Sequence, residues 1–404
     1  MRSLPEQEHI PPTLAAGDTG WRWRPIDRIA GRLACGRLTV VLPGGAMRDY
    51  VGPADGPRAL VHLRRWRGLW RTLIGGDTGF AEAYMAGDVD SPDLLALTDL
   101  FAKNEAALAG ALSGSAWRRW VDRLGHLARA NTRGGSRRNI AYHYDLGNAF
   151  YRLWLDPTMT YSAAWFEGQD RPLVEAQQDK YHRLARMADL RPGHQVLEIG
   201  CGWGGFARIA AEHYGCTVTG LTLSHEQHAY VDALGLGDRV RPLLVDYRDA
   251  TGTYDRIVSI EMFEAVGEAN WPTYFRRLGE LLKPGGVAAL QVITIDEARF
   301  EGYRRGADFI QKYIFPGGML PSPGALRQAV ADAGLRLVAE DFFADGYART
   351  LAHWREAFER AWPDIAAQGF DERFRRMWRY YLCYCEAGFR NGAIDVGHFR
   401  IERP

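Results

Sequence analysis

The sequence predicts an α/β fold: a doubly wound, mostly parallel sheet with helical insertions, preceded by a smaller α+β unit. Three observations carry this. From Gly193 onward, short apolar runs rich in β-formers alternate with helical periodicity. The first of these runs, Val196-Leu197-Glu198-Ile199, ends in the glycine cluster Gly200-Cys201-Gly202-Trp203-Gly204-Gly205 and opens onto a helical pattern from Ala207 to His213. Finally, 404 residues are enough for two domains with a sizeable core.

In chain order, residues 1–20 are punctuated by Pro and Gly and are expected to form a flexible N-terminus. Residues 21–130 form the smaller domain, with strands at Arg37–Leu42 and Ala59–Leu63 and helices at Gly79–Met85 and Asp93–Leu108. A basic, breaker-rich linker covers 131–139, and the larger domain runs over 140–404. Its strands are expected at Gln195–Ile199, Thr217–Leu221, Val240–Val245, Arg256–Ile260, Val287–Ile293, Arg336–Glu340 and Gly397–Glu402. A helix at Trp271–Leu282 precedes the turn Lys283-Pro284-Gly285-Gly286. In such a sheet the ligand crevice lies at the carboxyl ends of the strands. Asp296–Ala325 and Ala344–Asn391 exceed ordinary connections and read as helical insertions capping that crevice.

Bulk composition narrows the classes. With 47% hydrophobic and 25% charged residues and a net charge of +1, nothing in the total charge calls for nucleic acid. Five cysteines, an odd number without C-x-x-C spacing, argue against a disulfide framework or a metal site and fit a reducing cytosol. His143 and His225 lack the paired spacing of zinc ligands. The start lacks the apolar core of a signal peptide and no apolar run is long enough to span a bilayer, so the expected place is cytoplasmic, with peripheral membrane contact.

The chemistry-bearing residues gather at the strand ends. Gly200, Gly202 and Gly205 satisfy G-x-G-x-x-G, which alone also fits a dinucleotide site. Glu198, two residues earlier, favours a nucleoside ligand with an amino-acid end, as in S-adenosylmethionine (SAM). The second strand ends in Thr222-Leu223-Ser224 without the acid that an NAD site uses for its ribose, leaving Thr222 and Gln227 as neutral partners. Tyr247, after the third strand, offers a stacking face where adenine would lie; a plain loop contact is the bland alternative. The fourth strand ends in Glu261-Met262-Phe263-Glu264, two carboxylates costly to bury without a task, although one of them as a helix cap is the bland alternative. Cys201 reads as a small filler of the glycine turn.

Taken together, the motifs resemble the cyclopropane-fatty-acyl-phospholipid synthase family of SAM-dependent methyltransferases. They are Tyr142-His143-Tyr144-Asp145-Leu146-Gly147-Asn148, Met159-Thr160-Tyr161-Ser162, Leu197 to Gly205, Gly220-Leu221-Thr222-Leu223-Ser224, Met262-Phe263-Glu264 and Lys312-Tyr313-Ile314-Phe315-Pro316-Gly317-Gly318. They run in family order from about Ile140 onward; the first 130 residues resemble the family's N-terminal lipid-binding domain more loosely. The resemblance implies methyl transfer from SAM to a cis double bond of an unsaturated phospholipid acyl chain through a carbocation, with proton loss and closure to a cyclopropane. It implies a SAM site built from Tyr161, Ser162, Gly200, Gly202, Thr222, Leu223 and Gln227, to which Glu198, Gly204 and Tyr247 are added here. It also implies a bicarbonate ion as proton acceptor, held by a Cys, a Glu, a His and a Tyr. Glu264 matches that Glu and Tyr347 the Tyr, whereas the Cys position is Ala163, the His position Gln291, and Ala265 stands where a second His is usual. Glu261, Glu264, Gln291 and Tyr347 are thus the expected catalytic group. Loss of both Cys and His leaves a methylene- or methyl-branched product, or a lipid-binding protein without catalysis, as alternatives.

An acyl substrate implies docking on the inner face of a bilayer. Arg118, Arg119, Arg123, Arg129, Arg133, Arg137 and Arg138, with Trp117 and Trp120, form one basic aromatic patch. Arg64, Arg65, Arg67 and Arg71 with Trp66 and Trp70 form another. A solvated helix face and a basic linker are the bland reading. A homodimer is left open, and no nucleic-acid module is visible.

Overall fold

A computed structural model of the protein describes Gly20, residues 22–112 and residues 146–404. The expected flexible N-terminus up to Thr19, the linker 131–139, the Trp117–Arg138 patch, His143 and the Tyr142–Asp145 part of the first motif lie outside the described residues. The chain forms two units, Met1–Ser115 and Ala116–Pro404.

In the first unit, helix α1 (Arg24–Ala30) leads into β1 (Cys35–Val41), β2 (Met47–Val51) and β3 (Ala54–Leu63). Alternate residues of β1 are buried, the mark of a sheet packed on one face. Helix α2 (Trp66–Met85) starts well before the expected Gly79 and bends at Gly76, whose φ of 57° only glycine adopts cheaply. After β4 (Val89–Asp90), the single helix expected at Asp93–Leu108 is broken into α3 (Leu94–Lys103) and α4 (Glu105–Leu112). Asn104 sits at the break, where its side chain accepts from the Ala34 and Cys35 amides and donates to Cys35 O. The sheet order is β2-β1-β3-β4.

The basic cluster of this unit is partly an internal network. Arg65, Arg67 and Arg71 all reach the carboxylate of the fully buried Asp88, and Arg64 pairs with Asp90 at 3.7 Å. Burying one carboxylate demands such partners, so these arginines have a structural task beside any surface role. Trp70 and Ile74 stay exposed, at 56% and 50%.

The second unit opens with α5 (Asn148–Tyr151) and α6 (Leu173–Met187). The alternating units follow: β5 (Gln195–Ile199), α7 (Gly205–Tyr214), β6 (Thr217–Thr222), α8 (His225–Ala233), β7 (Val240–Leu244), β8 (Tyr254–Ile260), α9 (Trp271–Leu281) and β9 (Leu282–Ile295). Next come α10 (Glu297–Tyr303), a π-helical turn at Ile310–Ile314, α11 (Pro323–Asp332) and β10 (Arg336–Phe342). Three helices, α12 (Ala344–Arg360), α13 (Trp362–Ala367) and α14 (Glu372–Arg390), then lead to β11 (Ile394–Glu402). All seven expected strands are present. The turn expected at Lys283–Gly286 falls inside β9, because Leu282 still pairs with Tyr254 across a register shift.

The sheet order is β10-β11-β9-β8-β5-β6-β7. β5 is parallel to both β6 and β8, and β11 alone runs antiparallel, between β9 and β10. Four of the five β5 residues are buried, as a strand covered on both faces requires. One apolar core packs α9 and α11 on one face (Phe275, Leu278, Leu326, Val330) and another packs α6 and α7 on the other (Leu184, Phe206, Ala210). The strand order reverses between β5 and β8, and the crevice opens at their carboxyl ends.

Candidate functional site

The β5 strand ends in a turn that only glycines make at low cost. Gly200, Gly202 and Gly204 all have positive φ, at 83°, 51° and 81°. The turn delivers the chain to the N-terminus of α7, whose first amides are free of helical partners. Glu198, 2% exposed, takes one of them, the Ala207 amide, and among the described residues its Oε2 keeps no partner. Burial raises its proton affinity well above that of an ordinary carboxyl, against the pull of the Ala207 amide and the Lys180 cation. A buried acceptor left open beside a cavity fits a ligand that carries an ammonium group.

That cavity is lined by Glu198, Gly200 and Gly202, by Thr222, Leu223 and Gln227 from the end of β6, by Tyr247 beyond β7, and by Tyr161 and Ser162. Thr222 Oγ1 donates to Gln227 Oε1 at 2.8 Å and accepts from the Ser224 amide, so the second strand end is a neutral polar ledge. Asp246 is tied internally to Arg248, leaving the Tyr247 ring to the cavity. Gly204 alone of the expected cofactor residues stands outside this lining: a Cβ there would meet Val231 and Leu234 of the α8 region at 3.1 and 3.2 Å. Its task is the helix entry. Cys201 is buried, its thiol pushed up by desolvation, in keeping with a filler.

The carboxylate half adjoins this pocket. Glu261 directly follows β8 with φ of 50°, a backbone strained for a side chain larger than glycine. Its Oε1 accepts from the Ala163 amide at 2.8 Å and from Gln291 Nε2 at 2.7 Å, and its Oε2 from Tyr347 Oη at 2.7 Å. Three donors thus converge on one carboxylate, and they come from the positions that the resemblance matched to the Cys, His and Tyr of a bicarbonate site. Burial raises the Glu261 proton affinity, and the three donors and Lys180 oppose it. Glu264, half-buried, accepts from the Ile293 amide at 2.5 Å, and among the described residues its Oε2 has no partner. Desolvation, with Glu261 beside it, pushes the Glu264 carboxyl to about 8. Glu264 therefore holds its proton at neutral pH, while at Glu261 burial is opposed by three donors and the Lys180 cation. The Lys312–Gly318 motif leads to Met319, whose amide donates to Glu264 O.

Aromatic side chains enclose the site. Tyr161 meets Tyr151, Trp154 and Trp354 at 5.1–5.5 Å, and its hydroxyl pairs with Tyr381. Tyr347 stacks on Phe389 at 4.4 Å. Such faces suit a cation.

Two groups escaped the sequence reading. Lys180, fully buried on α6, donates to Ser162 Oγ at 2.6 Å and Gln177 Oε1 at 2.7 Å, and burial lowers its ammonium to about 7. His398 lies opposite Gln291 in the β9–β11 ladder, with its Nε2 2.9 Å from Gln291 Oε1. A histidine between Gly397 and Phe399 in the final expected strand was the available signal. Among the described residues no cluster of potential metal ligands exists and no helix is long and apolar enough to cross a membrane.

Comparison with known proteins agrees with this geometry. The family model for mycolic acid cyclopropane synthetase matches residues 132–399. The chain is 42% identical over 371 residues to tuberculostearic acid methyltransferase UfaA1 of Mycobacterium tuberculosis, covering 87% of this chain and 85% of that protein. It is also 42% identical over 256 residues to the cyclopropane-fatty-acyl-phospholipid synthase of Escherichia coli, covering 63% of this chain and 65% of that one. Among solved structures, mycolic acid cyclopropane synthase CmaA1 complexed with SAH and CTAB superposes with a TM-score of 0.62 at 35% identity, over 66% of this chain and 98% of that one. The glycine turn, the open Glu198 acceptor and these relatives agree that SAM is the methyl donor. The chain belongs to the cyclopropane synthetase family of SAM-dependent methyltransferases.

Proposed function

We propose that this enzyme methylates a cis double bond in an unsaturated phospholipid acyl chain and that Glu261, not a bound bicarbonate, receives the proton. One observation carries the reading: the Glu261 carboxylate already occupies the convergence of the Ala163, Gln291 and Tyr347 donors. SAM supplies an electrophilic methyl group, and its sulfur keeps the bonding electrons when the methyl leaves. The olefin's π pair forms the new C–CH₃ bond, and the neighbouring carbon becomes cationic. Tyr161, Trp354 and Tyr347 with the Glu261 anion stabilise that charge in a water-poor site. Glu261 then takes a proton from the new methyl group.

The product follows from how soon that proton leaves. Immediate loss closes a ring. A 1,2-hydride shift first moves the charge to the methyl-bearing carbon, and proton loss then leaves an exocyclic methylene. Glu261 is tethered by its backbone, and its lone pairs are engaged by three donors, which slows proton removal. We therefore place the methylene branch first. The likeness to the Escherichia coli synthase favours the ring as the second reading. A lipid substrate also calls for docking at a bilayer, for which the exposed Trp70 and Ile74 beside the arginine cluster are candidates.

Purified protein incubated with SAM and vesicles of unsaturated phospholipid tests this by mass spectrometry of the acyl chains. The expected result is a gain of one CH₂, fragmenting as a methylene branch. A cyclopropane pattern supports the second reading, and no gain with SAM still bound contradicts both.

A further inference from the structure

We infer that His398 is a positioning residue for the Glu261 carboxylate, acting through Gln291 along a directed chain of hydrogen bonds; this role rests on the reading of Glu261 as proton acceptor. The chain begins at Arg183 on α6. Its guanidinium is ion-paired with Asp341 and lies 3.8 Å over the Trp165 ring. Arg183 Nε donates to His398 Nδ1 at 3.2 Å. A guanidinium cannot accept a hydrogen bond, so Nδ1 must be the bare nitrogen and the proton must sit on Nε2. Nε2–H therefore donates to Gln291 Oε1 at 2.9 Å. With its oxygen so engaged, the Gln291 amide turns its nitrogen toward Ala163 O at 3.3 Å and Glu261 Oε1 at 2.7 Å.

Every donor and acceptor in this chain is thus oriented toward the carboxylate. The imidazole is fixed on its own side as well. It is fully buried, stacked on Trp165 and against Phe343, and it stands directly opposite Gln291 in the strand ladder. The family's strand histidine is absent at position 291, and a histidine from the neighbouring antiparallel strand backs the glutamine that replaced it. A donor whose own acceptor is engaged binds an anion more strongly, so the chain keeps Glu261 ionised. The charged and titratable groups facing Glu261 are Lys180 from α6, Glu264 and Tyr347; those facing His398 are Arg183 and Lys180. Burial and these two cations hold His398 neutral.

The test uses the whole protein with SAM and vesicles of dioleoyl phosphatidylglycerol and phosphatidylethanolamine. Nitrogen-15 NMR of the imidazole is expected to show a neutral His398 protonated on Nε2 at pH values where an ordinary imidazole is already charged. In His398→Phe the acid limb of the methyl-transfer rate is expected to move up by about half a unit to one unit, with SAM affinity unchanged. His398→Gln, which keeps an acceptor for Arg183 and a donor for Gln291, is expected to restore most of that shift. A proton on Nδ1, or an acid limb unmoved in a folded His398→Phe, overturns the role. Wild-type turnover in Glu261→Gln overturns the reading of Glu261 itself, and that failure is distinct from the other two.

Discussion

The cofactor half of the crevice and its carboxylate half stand side by side at the strand ends, yet they are assembled differently. The cofactor half draws most of its residues from one stretch, Glu198 to Gln227, covering a strand end, a glycine turn and the next strand end. The carboxylate half gathers Ala163, Glu261, Gln291, Tyr347 and His398 from five separate segments. In the first, backbone conformation does the positioning. In the second, each side chain is held by another from far along the chain, so a substitution at one position changes the meaning of the rest.

The variants that separate the halves rank by size of effect. Glu261→Gln keeps the shape but removes the base, so turnover should fall by about a hundred- to ten-thousand-fold while SAM binding, measured by calorimetry, persists. Glu198→Ala should do the reverse. Removing the open buried acceptor should weaken SAM binding by about ten- to a hundredfold, read by the same titration. Gly200→Ala strikes the backbone instead. With φ of 83° and a Cβ that would lie 2.9 Å from Met262 Cγ, it should cost about 1–2 kcal/mol of stability in denaturant unfolding.

The smallest effect concerns Glu264 and pH. Its folded carboxyl titrates near 8, above its unfolded value, so between those two values the folded state holds the extra proton. Its contribution is therefore most favourable at acid pH and is lost as pH rises through about 8. Glu264→Gln, which cannot ionise, should melt about 3 °C higher than wild type at alkaline pH and show no such gain at acid pH. Equal shifts at both ends would place an ordinary carboxyl there.

The same contrast explains what could be read from the sequence. The seven strands of the large sheet were legible because apolar runs and glycine turns are local signals. Most residues expected at the SAM site line one cavity, with Gly204 the exception because its turn faces α8 and not the cavity. The split at Asn104 was not legible, since the partners of its side chain, Ala34 and Cys35, lie some 70 residues back. Nor was the partner of Glu261. The sequence marked the Cys and His ligands as lost at Ala163 and Gln291 and left Gln291 able to bind an anion; the fold shows that the Ala163 amide and Gln291 both donate to Glu261, directly after the strand end. His398 stayed hidden for the same reason: its register against Gln291 is set by strand pairing 107 residues away.

The central claim is that Glu261 stands in the place of a bound anion, and bicarbonate dependence tests it most directly. Methyl transfer should be measured in carbon-dioxide-free buffer and again with added bicarbonate, for the wild type and for Glu261→Gly. Glycine at that position also relieves the positive φ, so the variant should fold. Wild-type turnover should be indifferent to bicarbonate, and the glycine variant should be inactive until bicarbonate is supplied. A wild type that loses activity without bicarbonate would contradict it.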